Sequence, residues 1–370
     1  MEDAFRFADD LGPFRIMYIH QRSVGLKAVA VVDNTACGPA IGGVRMAPDV
    51  SAEEAFRLAR AMTLKNAAAG LPHGGGKSVI YGDPRMPLGE KERLIRAFAS
   101  AIRELTDYIP GPDMGTDELA MAWINDETGR AVGLPREIGG IPLDEIGATG
   151  FGLAAAIDVA TRQIGLDLKG ARVAVQGFGS VGRHAARFLC DKGAILVAAS
   201  DSQGTIAAPD GLDVAALAAL KATGRPLRDY SRGRALGQDA VIDVPCDIWI
   251  PAARPDVITA ANVGRLNTRL VAEGANIPCT MEAEQALAAR GVLVLPDFIA
   301  NAGGVICAAI EYQRGTQTQA FAAIDEKIRA NSQSVLEEAR RTNTLPRAAA
   351  TALALARVRR AMEMRRWGPR

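Results

Sequence analysis

Arg172-Val-Ala-Val-Gln-Gly177-Phe178-Gly179-Ser180-Val181-Gly182 joins a short apolar run to three spaced glycines near the middle of a 370-residue chain. A helical pattern follows to about Asp191 and stops at Gly193, and a second apolar run, Ile195 to Ala199, closes on Asp201. The spacing predicts strand, turn, helix and strand, with G-x-G-x-x-G in the turn and an acid 24 residues beyond the first glycine. These glycines permit a tight turn and a close approach of backbone to a pyrophosphate, which rests on the helix N-terminus. The Asp201 carboxylate can take the ribose hydroxyls. A packing turn without a ligand is the plainer alternative. The strands on either side decide for a dinucleotide.

Further apolar runs at Asp247–Ile250, Leu270–Glu273 and Val292–Leu295 each end in Pro, Gly, Ala or Asn, as the second half of a doubly wound parallel sheet would. Ligands bind beyond the C-terminal ends of such strands. Asn276 and Asn301 therefore fall near the cofactor, although either one alone also suits a turn.

Upstream, Ser51-Ala-Glu-Glu54 reads as a capping box and Gly70 as a stop, which predicts a helix over 52–69. Its apolar stripe runs through Ala55, Leu58, Met62 and Ala69, and Lys65 shares that stripe. A lysine facing the core is costly unless paired, or its stem snorkels at the helix end. The next segment, Gly70-Leu-Pro-His-Gly-Gly-Gly-Lys77-Ser, misses the nucleotide-hydrolase phosphate loop by one residue, and a helix stands where that loop needs a strand.

Forty-three basic residues against forty-two acidic ones leave a net charge of +1, so no field attracts nucleic acid or anionic membrane. The partner expected is a small molecule. Five cysteines without a C-x-x-C pair argue against a disulfide framework and a thiolate zinc site, so no metal is expected and a cytoplasmic location is. The acidic start, Met1-Glu-Asp-Ala-Phe, lacks the basic lead of an export signal. The arginine-rich end, 357–370, reads as a solvated helix face. Only eight of the basic residues are lysines, so Lys65 and Lys77, twelve positions apart, stand out.

With these motifs read, the chain resembles the Glu/Leu/Phe/Val amino-acid dehydrogenases from about 25 to 360. The resemblance is carried by Gly38-Pro-Ala-Ile-Gly-Gly-Val-Arg45, Met62-Thr-Leu-Lys65 through Gly-Gly-Gly-Lys77, Pro112-Asp113-Met-Gly-Thr116, Ala148-Thr149-Gly-Phe-Gly152, the turn at 177–182, Glu273-Gly-Ala-Asn276 and Asn301-Ala-Gly-Gly304. It implies an α/β protein with a substrate-binding and catalytic domain over 1–140, a Rossmann-type dinucleotide domain over 141–330 and a C-terminal helical segment over 331–370 that returns toward the first domain. It also implies a homo-oligomer. By motif match Lys65 would pair with the substrate α-carboxylate, Lys77 would be the catalytic lysine and Asp113 the general acid/base. Thr149, Asn276 and Asn301 would lie around the nicotinamide. NAD is the expected cofactor, and Ser202-Gln203 after Asp201 leaves NADP open.

The chemistry asks for these residue types on its own account. Hydride leaves Cα only when the amino nitrogen is neutral, so a base must take a proton from the ammonium. Water must then add to the iminium, and a nearby cation stabilises the oxygen anion that develops. Lysine suits this because desolvation and a neighbouring cation lower its pKa, whereas arginine stays charged.

In glutamate-specific members a lysine precedes Gly-Gly-x-Arg and a serine follows the Asn-Ala-Gly-Gly motif, both for the side-chain carboxylate. Those positions are Ile41, with Gly42 beside it, and Ala308. A γ-carboxylate left unpaired there costs several kcal/mol, on the order of the penalty for a buried lone charge, whereas an apolar side chain gains about 1.5–3 kcal/mol. The expectation is an NAD(P)-dependent dehydrogenase that converts an apolar L-amino acid to its 2-oxo acid and ammonia. The alternative is a glutamate dehydrogenase with a rearranged carboxylate site, which Ser200-Asp-Ser-Gln-Gly204 and Met121-Ala-Trp123 favour.

Overall fold

A computed structural model describes residues 5–365; residues 1–4 and 366–370, the latter the last part of the arginine-rich end, lie outside it. The chain divides into two compact units, Met1–Leu143 with Val305–Ala320 and Thr351–Arg370, and Asp144–Gly304 with Phe321–Ala350. The first division between the units lies at 143/144. Residues 305–320, expected in the dinucleotide domain, belong to the first unit, and so do the described residues from Thr351 onward. The reason is packing. The Glu311 carboxylate accepts the Leu134 and Ile141 amides at 3.1 and 2.8 Å, and Arg357 donates to the Ala67 and Leu71 carbonyls at 2.7 and 2.9 Å.

The first unit holds strands β1 (Arg15–Gln21), β2 (Leu26–Asn34), β3 (Ala40–Ala47), β4 (Gly74–Tyr81) and β5 (Tyr108–Pro112), and helices α1 (Ala52–Ala68), α2 (Leu88–Ala101) and α3 (Glu118–Thr128). The strand order is β1-β2-β4-β3-β5, with β3 parallel to β4 and β5 and the other pairs antiparallel. Alternation of side chains gives the sheet two faces. Ala28, Ala30, Val44, Met46 and Ile80 pack under α2 and α3, whereas Val29, Val31, Ala47 and Val79 pack under Ala55 and Ala59 of α1. Lys77 shares the parity of Val79 and Ile41 that of Ala47, so both belong to the α1 face.

The stripe read on α1 is rotated. Its buried residues are Ala55, Ala59, Thr63, Asn66 and Ala67, while Leu58, Met62 and Lys65 are half-buried. Gly75 explains this: a Cβ there would lie 2.1 Å from the Thr63 nitrogen and 2.4 Å from the Ala59 carbonyl oxygen. The helix backbone rests on a strand that has no side chain at that point, so small residues face it.

In the second unit a turn of helix, α4 (Leu143–Ile146), leads to α5 (Ala148–Gln163), β6 (Arg172–Gln176), α6 (Ser180–Cys190), β7 (Ile195–Asp201), β8 (Gly204–Ala207), α7 (Val214–Ala222) and β9 (Arg234–Leu236). Then come β10 (Ile248–Pro251), β11 (Leu270–Ala272), α8 (Met281–Ala289), β12 (Leu293–Leu295) and α9 (Asp297–Ala300). The sheet order is β12-β11-β10-β6-β7-β8-β9, parallel from β12 to β7. Its first half departs from the doubly wound pattern, because β8 turns back antiparallel on β7 through Ser202-Gln203 and β9 follows antiparallel. Helices α10 (Gly303–Tyr312), α11 (Gln317–Thr342) and α12 (Pro346–Glu363) complete the chain, and each contains one of the divisions between the units.

Candidate active site

In the first unit β4 carries Lys77 into contact with Asp113, which follows β5: Lys77 Nζ donates to Asp113 Oδ2. Asp113 is held from several sides. Its other oxygen accepts from Arg45 at 3.3 Å and from the Met114 amide at 2.5 Å, and its own amide donates to Thr116 Oγ1 at 3.0 Å. A Cβ on Gly43 would meet the Asp113 Cβ at 2.7 Å, so only glycine lets the carboxylate lie across β3. Burial, and then the charges of Arg45 and Lys65, push Lys77 down to about 7. The charge of Glu54 opposes that shift without reversing it. Lys65, in the last turn of α1, thus lies within electrostatic reach of Lys77.

Two residues of this site escaped the sequence reading. Arg45 spans Asp113 and Glu54, with the Glu54 contact at 2.5 Å. The capping box is only half formed, because Ser51 Oγ takes the Glu54 amide at 3.1 Å while the Glu54 carboxylate turns to Arg45. Their signal was present in Arg45 as the last residue of the Gly-Gly-Val-Arg motif. Ile41 and Ala308 do come together, in one buried cluster with Ile109 and Val132, which were not singled out. Gly42, expected beside the substrate, has a packing role: a Cβ there would lie 1.6 Å from the Gly76 carbonyl oxygen, and its own carbonyl accepts Tyr108 Oη at 2.9 Å.

In the second unit the three glycines of the turn divide their tasks. Gly177 has φ 91°, and a Cβ on Gly182 would lie 2.1 Å from the Gly177 carbonyl oxygen, so the first shapes the turn and the last lets α6 close on it. Gly179 faces open space within 4 Å, and no side chain caps the helix it begins. The first amides of α6 therefore point at a surface that backbone can approach closely, which fits the pyrophosphate of a dinucleotide. Phe178 is buried, and its amide and that of Gly177 bind the Ser200 carbonyl at 2.8 and 3.0 Å, so its side chain belongs to the core. Ser180 Oγ donates to the Asp144 carbonyl at 3.0 Å, and Val181 follows in the first turn of α6.

Asn301 Nδ2 donates to Asn276 Oδ1 at 3.1 Å and approaches the Gly274 and Ala275 carbonyls at 3.3 Å. Thr149 lies close by, since a Cβ on Gly303 would meet its Cα at 3.1 Å. Asp201 stands at the end of β7 as read, but its carboxylate accepts from Lys221 Nζ at 2.9 Å and from the Gln203 and Leu227 amides at 2.9 and 3.0 Å. Burial raises its pKa, and these donors together hold it below the usual range. Lys221 therefore places a cation next to Asp201, the residue expected at the ribose. Lys221→Ala is expected to raise the NAD over NADP ratio of kcat/KM at least about tenfold, by deleting that cation and uncovering Asp201. An unchanged ratio would show that the pair does not face the ribose.

A family model described as Glutamate/Leucine/Phenylalanine/Valine dehydrogenase matches residues 139–366, and the family's N-terminal model, described as a dimerisation domain, matches 15–130. The chain belongs to the Glu/Leu/Phe/Val dehydrogenase family. It is an NAD(P)-dependent amino-acid dehydrogenase acting on the CH–NH2 group, and NAD-specific and NADP-specific enzymes both occur among its relatives. The glutamate dehydrogenase of Aeropyrum pernix is 38% identical over 358 residues, covering 90% of this chain and 85% of that protein. A hetero-hexameric glutamate dehydrogenase from Thermus thermophilus, solved in a Leu-bound form, superposes with TM-score 0.85 at 31% identity, over 95% of this chain and 90% of that one. The L-tryptophan dehydrogenase of Nostoc punctiforme gives 0.74 at 26% identity, over 95% and 97%. The curated relatives thus carry the glutamate name, which favours the alternative reading of the substrate over the apolar one. No helix among the described residues is long and apolar enough to cross a membrane.

Proposed function

We propose that this dehydrogenase acts on an apolar L-amino acid. The observation that carries the reading is the cluster in which Ile41 and Ala308, the two positions where the resemblance places the substrate side chain, are buried with the apolar Ile109 and Val132. In the proposed reaction Lys65 pairs with the α-carboxylate and Asp113 takes a proton from the substrate ammonium. Lys77, in contact with Asp113, activates water against the iminium and stabilises the oxygen anion that forms. The dinucleotide, when bound, supplies the hydride acceptor. Arg45 and Thr116 keep Asp113 aimed while it changes charge.

The second reading, glutamate, has the names of the curated relatives in its favour and needs a cation placed elsewhere than at position 41. NADH formation with twenty amino acids, each against NAD and NADP, separates the two. The expected result is a higher kcat/KM for an aliphatic or aromatic amino acid than for glutamate; glutamate as the best substrate makes the second reading the right one. We further infer a cytoplasmic homo-oligomer built through the first unit, on the match to a dimerisation domain.

A further inference from the structure

The second unit buries three carboxylates around a single guanidinium. Arg347, in the first turn of α12, donates from Nη2 to Glu273 at 2.6 Å, from Nη1 to Asp297 at 2.8 Å and from Nε to Glu284 at 2.5 Å. Glu273 follows β11, Asp297 begins α9 and Glu284 lies on α8, so one side chain meets three elements. A cross-link made for stability alone does not ask for this, since well-packed apolar groups hold elements together at least as well as buried ions. Three carboxylates on a planar fork instead fix directions.

The remaining bonds of the cluster show what is being aimed. Glu273 Oε2 also takes the Asp297 amide at 2.9 Å, and Asp297 Oδ2 takes the Ile277 amide at 2.9 Å. Ile277 has φ 48°, a left-handed conformation that a β-branched residue adopts only under constraint. It directly follows Asn276. The Asp297 carbonyl takes the Asn301 amide at 2.7 Å, and the Asn301 side chain closes on Asn276. Asn301 is therefore one hydrogen bond away from Asp297, which Arg347 grips, and Asn276 is one residue and one hydrogen bond away from it.

We propose that Arg347 is a positioning residue: acting through Glu273 and Asp297, it holds the strained turn at Ile277 and so sets Asn276 and Asn301 for the nicotinamide end of the dinucleotide. This rests on the reading that those two asparagines meet the nicotinamide. It separates Arg347 from the adenosine end, which the turn at 177–182 and Asp201 serve.

The test compares two ligands on the whole protein, NADH and ADP-ribose, which lacks the nicotinamide. In Arg347→Lys and in Asp297→Asn, which keeps its volume and loses one acceptor, the ratio of the ADP-ribose to the NADH dissociation constant should fall at least about threefold while ADP-ribose binding changes less than about twofold. The kcat should fall at least about tenfold with it. Asn276→Ala and Asn301→Ala should narrow the same ratio. If the asparagine variants leave the ratio at its wild-type value, the nicotinamide reading fails. If they narrow it and the Arg347 and Asp297 variants do not, or if those variants weaken both ligands in parallel, the positioning role is overturned. Should Arg347→Lys not fold, Asp297→Asn decides alone.

Discussion

Lys77→Ala and Asp113→Asn each lower kcat about 10²–10⁴-fold while NADH still binds, as expected for acid–base groups that lie in a different unit from the dinucleotide turn. Because the two side chains are in contact, both variants should fall to a similar residual rate and the double variant should lose little more. The pair also dictates a pH dependence. With Lys77 near 7, its amine is neutral above that pH and can take on the proton that Asp113 receives from the substrate ammonium; below it Lys77 already holds a proton. The kcat/KM for deamination should therefore fall as pH drops through about 7, and the residual activity of Lys77→Ala should lack that limb. Steady-state rates with NADH fluorescence titrations check both parts. More than about a tenth of wild-type kcat in both single variants would remove the assignment.

Ile41→Lys combined with Ala308→Ser should shift preference toward glutamate. The two residues share one buried cluster, so an ammonium and a hydroxyl introduced there meet the same substrate side chain. They give a γ-carboxylate the partners it lacks, and the lysine opposes the former substrate by abutting an apolar group with a desolvated charge. The glutamate over best-apolar ratio of kcat/KM should rise at least about tenfold, equivalent to about 1.4 kcal/mol. Ile109 and Val132, unchanged in this variant, keep two apolar walls and limit the shift. No movement of the ratio would show that the cluster lies outside the side-chain pocket.

The dinucleotide half was legible in detail because its signals are local. Strand β6, the turn, α6 and β7 were read within a residue or two, since glycines at 177 and 182 answer to steric demands inside one short segment. The hairpin to β8 was missed although Asp201 and Gly204 pair across a two-residue loop, because β8 is too short to show an alternation. The first unit was less legible where long-range packing decides. Nothing in α1 alone reveals that Gly75 will press on Ala59 and Thr63 and rotate the buried stripe. Glu54 had a good local task in the capping box and was drawn off by Arg45, a partner on strand β3. Val132 and Glu311 took their places only when 305–320 packed with the first unit, a pairing that spans well over a hundred residues and leaves no periodic trace.

Gly74, Gly75 and Gly76 remove every side chain from the start of the strand that carries Lys77, and the backbone of α1 occupies the space that Gly75 vacates. The same helix brings Lys65 within range of Lys77, and that charge is among the causes of its lowered proton affinity. The thickness of the layer between helix and strand is therefore a chemical variable as well as a steric one: a methyl group at position 75, on the α1 side of the strand, would widen the gap between two cations and retune the acidity on which proton transfer depends.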